Sequence, residues 1–253
     1  HHPESGINTT WSTPSVITTF VFHQSGNAIV TLHSGIASLD FSNGATAMLQ
    51  PLPENPPYVY NDGTVDREGR FIIGGCTTNF ADPQPDGGLF ILDHDSSVRQ
   101  LDTGIHFSNG NCFSPDGSTL YFADSWKHTI YAYDYDPVTG HTSNRRIFAE
   151  THDLGGIPDG AKTDTSGRLW VAIYGAGLVA CFADNGPLLQ TIKMPVKLVS
   201  SVAFGGPELN RLYVTTIAKG ALNEPFEAGA GDLYVIDGLD ATGHAENICA
   251  ARL

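Results

Sequence analysis

The chain has 253 residues, of which 41% are hydrophobic and 16% are charged. These proportions are typical of a globular protein and exclude a disordered chain. The formal net charge of −14 argues against nucleic acid and anionic membranes as partners. The sequence shows neither a secretory segment nor an apolar run of roughly 18 residues, so we expect a cytoplasmic protein that does not span a membrane.

Five segments share one pattern, in which a short strand leads through a polar, mostly glycine-centred turn into a second, apolar strand. The turns lie at residues 22–27, 66–70, 114–117, 164–168 and 206–210. They recur about every 43 to 50 residues, which is the period of β-propeller blades. The repeat therefore predicts an all-β protein with a single propeller domain over residues 1–253.

The repeat is less regular at the beginning of the chain, which leaves the number of blades open. Complete blades are predicted to start near Val16, Asn61, Asn109, Asp159 and Ser200. Ahead of them, residues 2–6 resemble a blade turn and precede one strand near residues 8–11. A single outer strand without neighbours would leave an unpaired edge. We therefore predict a six-bladed propeller whose first blade is incomplete in this sequence, with a five-bladed propeller as the alternative.

The third complete blade shows the repeating unit most clearly. Its four strands are predicted at residues 111–114, 119–123, 129–135 and 146–149. Alternating apolar residues and short turns between the strands are typical of a four-stranded antiparallel sheet.

Three polar residues occupy equivalent positions in successive blades. Counting back eight residues from the turn glycines at 69, 117 and 167 leads to Asn61, Asn109 and Asp159. Antiparallel order places these residues at the opposite end of the blades from the turns, on the same rim as three long loops. Those loops cover residues 76–87, 124–128 and 218–231. Loops held by a rigid scaffold commonly carry function, so this rim is the candidate site.

Several motifs, in order, resemble a known family. They are the N-D-G of residues 61–63, the S-N-G of 108–110, the segment 133–140 and the P-D-G of 158–160. This set is similar to the senescence marker protein (regucalcin)/gluconolactonase family, which includes luciferin-regenerating-enzyme-like proteins. The resemblance implies a six-bladed propeller that hydrolyses a sugar lactone or related cyclic ester with one divalent metal ion.

The resemblance also implies roles for individual residues. Asn109 and Asp159 would bind the metal, Asp159 would accept a proton, and Asn61 would bind the substrate or a metal-bound water. Tyr60 and Trp126 are candidates for shaping the substrate pocket. Oxygen ligands favour a hard ion, with Ca²⁺ preferred and Mg²⁺, Mn²⁺ or Zn²⁺ as alternatives. Asp62 and Asp66 are interpreted as structural.

Two positions depart from the family pattern. The family's remaining metal ligand is a Glu at the start of the first inner strand, and the nearest candidate, Glu4, falls in a turn on the opposite face. The family also commonly has an Arg two residues before the Asn of N-D-G, where this chain has Val59. This substitution argues against gluconolactone and favours a less polar substrate.

The sequence leaves three functions open. The favoured one is a metal-dependent lactonase acting on a small lactone. The alternatives are a non-catalytic, calcium-binding or protein-interaction propeller and a hydrolase of a non-sugar lactone or ester. A serine-hydrolase triad is not expected because there is no G-x-S-x-G elbow. The four cysteines have no C-x-x-C spacing, so we expect them to be reduced and buried.

Overall fold

The computed structural model describes residues 5–218 and 227–253, which form five antiparallel sheets. The first blade contains β1 (Ile17–Phe22), β2 (Ala28–Leu32), β3 (Gly35–Leu39) and β4 (Thr46–Pro51). The second contains β5 (Tyr58–Val65), β6 (Phe71–Thr77), β7 (Gly87–Leu92) and β8 (Val98–Ile105). The third contains β9 (Ser108–Phe113), β10 (Thr119–Asp124), β11 (Thr129–Asp136) and β12 (His141–Glu150).

The fourth blade contains β13 (Ile157–Thr163), β14 (Leu169–Tyr174), β15 (Leu178–Phe182) and β16 (Leu188–Lys193). The fifth has three strands, β17 (Val199–Gly205), β18 (Arg211–Thr216) and β19 (Leu233–Ile236). The described helices are two short 3₁₀ turns, Ser125–Lys127 and His152–Leu154. In the described part of the chain, no helix has the length and apolar character needed to cross a membrane.

The first strand of each blade lies innermost. Strands β1, β5, β9, β13 and β17 contact one another successively in that order, so they line a common channel. Each blade then continues outward through its remaining strands. This confirms the predicted β-propeller and the approximate starting points of its five blades, although the fifth blade has three strands among the described residues and not the predicted four.

The prediction of six blades was wrong, and the five-bladed alternative is confirmed for the described residues. Residues 8–12 form no strand, and the Trp11 ring packs against Phe41 of the first blade at 5.6 Å between ring centroids. Trp11 therefore lies on the β3–β4 connection, where its ring also faces Gly44. Glu4 and most of the predicted turn before this segment lie outside the described residues.

Side-chain alternation holds neighbouring blades together. In β14, Leu169, Val171 and Ile173 pack toward the third blade. The intervening Trp170 and Ala172 pack toward the fifth blade. Successive side chains of a strand point to opposite faces, so one strand contributes to two hydrophobic interfaces. All four cysteines are free and buried in these layers, as predicted.

Two of the turns are built around a buried aspartate. The Oδ1 atom of Asp164 accepts hydrogen bonds from the backbone N–H groups of Ser166 and Arg168. Its Oδ2 atom accepts from Arg168 Nε at 2.7 Å and from Trp170 Nε1 at 2.9 Å. Asp66 has the equivalent bonds from Glu68, Arg70 and the Tyr135 hydroxyl. The repeated D-x-x-G-R sequence thus marks a buried network that fixes each turn, and Tyr135 also ties the second-blade turn to the third blade.

The C-terminal segment, residues 237–253, crosses the face that carries these turns. The backbone N–H of Thr165 in the fourth blade donates to Thr242 O at 2.7 Å. Further along, Asn247 donates to Val65 O of the second blade, and Cys249 forms a bridge with His23 of the first. The segment borders a cavity of about 310 Å³ at this end of the channel. The sequence pattern did not predict this path of the C-terminal segment.

We expect Asp164→Ala to lower the free energy of unfolding by about 3–5 kcal/mol, because it leaves Arg168 and the buried Trp170 N–H without their partner. The matched control is Asp116→Ala in the third-blade turn. Asp116 is exposed and bonds to Ser114 and Ser118, so its loss should cost about 1 kcal/mol. Urea unfolding of both variants measures the difference, and equal losses would contradict the buried-network interpretation.

Candidate active site

The inner strands of the third and fourth blades approach closely at Gly110. This residue has φ +60°, and a Cβ atom at its position would lie 2.7 Å from the carbonyl oxygen of Asp159. Only glycine combines a left-handed backbone with such an approach without strain. The glycine of the S-N-G motif therefore lets the two strands bring their polar residues together.

A chain of hydrogen bonds links three blades across this region. Asn61 Nδ2 donates to Asn109 Oδ1 at 2.8 Å and to the carbonyl oxygen of Ser108 at 2.9 Å. Asn109 Nδ2 donates to Ser125 Oγ at 2.9 Å. The Ser125 hydroxyl donates in turn to the carbonyl oxygen of Pro158 at 2.6 Å, directly before Asp159. The network thus joins the sequence-predicted Asn61 and Asn109 and ends at the residue before Asp159.

Ser125 is a member of this network that the sequence did not identify. It lies in the predicted rim loop of residues 124–128 and is fully buried. A serine in a polar loop gives no local signal of its own. Its role follows from the long-range contacts to Asn109 and to the residue before Asp159.

Asp62 supports the site from the adjacent position on β5. Its carboxylate accepts a hydrogen bond from Gly63 N at 2.8 Å and from Gly110 N at 2.7 Å. Burial raises the pKa of Asp62, although these backbone donors and the positive charge of Lys162 act in the opposite direction. The bond to Gly110 fixes the strand beside Asn109, which agrees with the structural role predicted for Asp62.

Asp159 is partly accessible from the channel, but the surrounding protein atoms remove most of its hydration. This desolvation, together with the nearby Asp62 carboxylate, raises the pKa of Asp159 well above its usual range. A hydrogen bond from Gly160 N acts in the opposite direction. Among the described residues, the groups that shift this pKa include no basic side chain.

The two predicted pocket aromatics have different environments. Tyr60 is 4% exposed and packs between Tyr58 and Phe90, at centroid distances of 6.0 and 5.5 Å. Trp126 is 37% exposed and stacks on Phe107 at 5.3 Å. Only Trp126 therefore presents ring surface to the solvent. The third predicted rim loop, residues 218–231, lies mostly outside the described residues.

The chemistry of the cluster fits a hard divalent cation. Asn61, Asn109 and Asp159 supply oxygen atoms, and a cation beside Asp159 would offset the desolvation and the nearby Asp62 carboxylate that raise the pKa of Asp159. Within residues 5–218 and 227–253, no three His, Cys, Asp or Glu side chains converge as a metal-binding group. An ion held by one carboxylate and an amide oxygen would keep several waters, as Mg²⁺ and Ca²⁺ commonly do.

Comparison with known proteins agrees with the motifs that form this cluster. The SMP-30/Gluconolactonase/LRE-like region matches residues 1–218. This chain belongs to that family. The match covers the blades that contribute Asn61, Asn109 and Asp159, so the residues joined by hydrogen bonds lie within the family region.

Individual relatives are similar over most of their length. Regucalcin from Xenopus laevis is 33% identical over 92% of this chain and 81% of its own length. Pentonolactonase XacC from Haloferax volcanii is 32% identical over 100% of this chain and 87% of its own length. Among solved structures, a luciferin-regenerating enzyme is 28% identical with a TM-score of 0.87, covering 94% of this chain and 83% of the other.

The close approach at Gly110 leads to a testable expectation. Gly110→Ala should lower the melting temperature strongly, because the new Cβ would collide with a backbone oxygen that cannot rotate away. Gly155→Ala is the matched control, since Gly155 has a similar φ of +75° but nothing within 4 Å of the added Cβ. The difference between the melting temperatures of the two variants measures the effect of the collision. Equal melting temperatures would show that the strands do not meet at Gly110.

Proposed function

We propose that this SMP-30/gluconolactonase-family protein is a metal-dependent hydrolase that opens a lactone, with Asn61, Asn109 and Asp159 at its centre. The observation that carries the proposal is the direct hydrogen bond between Asn61 and Asn109. It joins the N-D-G and S-N-G motifs of two blades beside the P-D-G carboxylate of a third. Motifs of separate blades thus meet at one end of the channel.

The hydrogen bonds determine which atoms remain available for a ligand. Both hydrogens of the Asn61 amide are used by Asn109 and Ser108, so its Oδ1 atom is left to accept from a water or substrate hydroxyl. Asn109 Oδ1 receives one hydrogen bond and has a second lone pair. With the Asp159 carboxylate, it would hold a divalent cation.

The chemistry of ring opening assigns a separate task to each side chain. A divalent cation held by Asn109 and Asp159 would supply Lewis-acid polarisation of the lactone carbonyl. Asp159 takes a proton from the attacking water as the new carbon–oxygen bond forms. The ring carbon–oxygen bond then breaks, and the same proton passes to the leaving alkoxide to give a hydroxy acid. Ser125 keeps the Asn109 amide in place throughout.

The relatives support this reaction class. The Haloferax volcanii relative is a pentonolactonase at 32% identity, which favours hydrolysis of a cyclic ester. Regucalcin is the name of several relatives at 31 to 33% identity, and it favours calcium as the ion.

The test compares two aspartates that share a Pro-Asp-Gly motif, Asp159 and Asp116. We expect Asp159→Asn to reduce kcat for lactone hydrolysis by roughly 10² to 10⁴, the usual contribution of a general base. Asp116→Asn should leave kcat unchanged, because Asp116 lies in an exposed turn bonded to Ser114 and Ser118. Rates are measured by pH-stat on several lactones, with thermal unfolding to show that both variants fold.

Turnover at the wild-type rate in Asp159→Asn would contradict the proposal. If wild-type protein hydrolyses no lactone but binds a divalent ion, the result would support a non-catalytic, cation-binding propeller instead.

A further inference from the structure

Three aromatic rings form a continuous row on the rim. The Phe80 and Phe107 ring centroids are 5.7 Å apart, and Phe107 stacks on Trp126 at 5.3 Å with 23° between the ring planes. Phe80 is 55% exposed and Trp126 is 37% exposed, so much of their apolar surface faces solvent. We call these three residues the aromatic platform. Core packing alone does not account for so much exposed ring surface.

The backbone fixes the platform against the candidate active site. Phe107 directly precedes Ser108, whose carbonyl oxygen receives the Asn61 amide. Trp126 directly follows Ser125, whose hydroxyl receives the Asn109 amide. The two ring-bearing segments are joined because Ser125 N donates to Phe107 O at 2.9 Å. The platform is therefore an extension of the hydrogen-bonded network.

The platform is also held in place before any ligand binds. Phe107 N donates to Asp124 Oδ1 at 3.2 Å, and Phe107 forms a bridge with Cys76 at the end of β6. Phe80 lies in the connection after β6, so the rings span the second and third blades. A preorganised apolar surface binds without the cost of ordering its side chains.

We propose that the aromatic platform binds an apolar, preferably aromatic, substituent of the lactone while Asn61, Asn109 and Asp159 act on its ring. This inference rests on the proposed function and names its substrate class. Flat rings gain most from stacking on a flat apolar surface, whereas a polyhydroxylated chain would lose hydration there. Val59, two residues before Asn61, supplies no charge to bind sugar hydroxyl groups, which favours the same class.

Three δ-lactones with the same ring size test the substrate class. They are δ-valerolactone, which has no substituent, dihydrocoumarin, which has a fused aromatic ring, and glucono-δ-lactone, which is hydroxylated. We expect wild-type kcat/KM to be highest for dihydrocoumarin. Trp126→Ala should lower the dihydrocoumarin to δ-valerolactone ratio of kcat/KM about five- to tenfold, mainly through KM, because the stacking contact is present in both ground and transition states.

Two further variants test whether the change in the kcat/KM ratio is specific to the aromatic platform. Phe80→Leu should lower the same ratio to a smaller extent, and its exposed position makes a folding defect unexpected. Phe20→Leu is the matched control, because Phe20 is 54% exposed on β1 of the first blade, outside the platform. It should leave the ratio unchanged.

The outcomes distinguish this inference from the proposed function. Lactone turnover with equal ratios in wild type, Trp126→Ala and Phe80→Leu would overturn the aromatic platform while leaving the lactonase proposal standing. A preference for glucono-δ-lactone would overturn it as well. Absence of turnover on all three lactones, with metal ions added, would overturn both.

Discussion

The close approach of neighbouring inner strands is the constraint on which the site depends. Gly110 lies against the backbone of Asp159, and a Cβ atom at Gly160 would lie 2.1 Å from Ser201 Oγ of the fifth blade. Gly110 and Gly160 thus each remove a side chain where two blades must meet. The polar residue before each glycine is brought to the channel by the same contact, so strand packing and site geometry have a common cause.

The charged side chains are distributed unevenly between the two ends of the channel. Asp159 and Asp62 lie near one another, and Lys162, further along β13, pairs with Glu246 at 2.9 Å. Burial lowers the pKa of Lys162, but Glu246 and other negative groups raise it by more. The carboxylates at the candidate active site therefore remain partly uncompensated, while the opposite end of the channel is neutralised by the C-terminal segment. This difference explains why a cation is expected at one end only.

Much of the fold was predictable because turns and strands are marked by residues that are close together in sequence. Turn residues and two-residue alternation mark the hairpin from β10 to β11, whose observed register runs from Thr119 opposite Asp134 to Asp124 opposite Thr129. The equivalent positions of Asn61 and Asn109 also followed from the repeat. Ser125, the burial of Tyr60 and the path of the C-terminal segment were not predictable in this way. They depend on contacts between residues far apart in sequence, such as Cys249 with His23 and Trp11 with Phe41.

The central claim is that the Asn61–Asn109–Asp159 cluster holds a divalent cation that is needed to open a lactone. The most direct test is a pH-stat assay of EDTA-treated protein on sugar, alkyl and aryl lactones, followed by addition of Ca²⁺, Mg²⁺, Mn²⁺ or Zn²⁺. The account predicts that turnover is lost on EDTA treatment and returns with at least one of these ions. Undiminished turnover in EDTA, or no turnover with any ion, would contradict it.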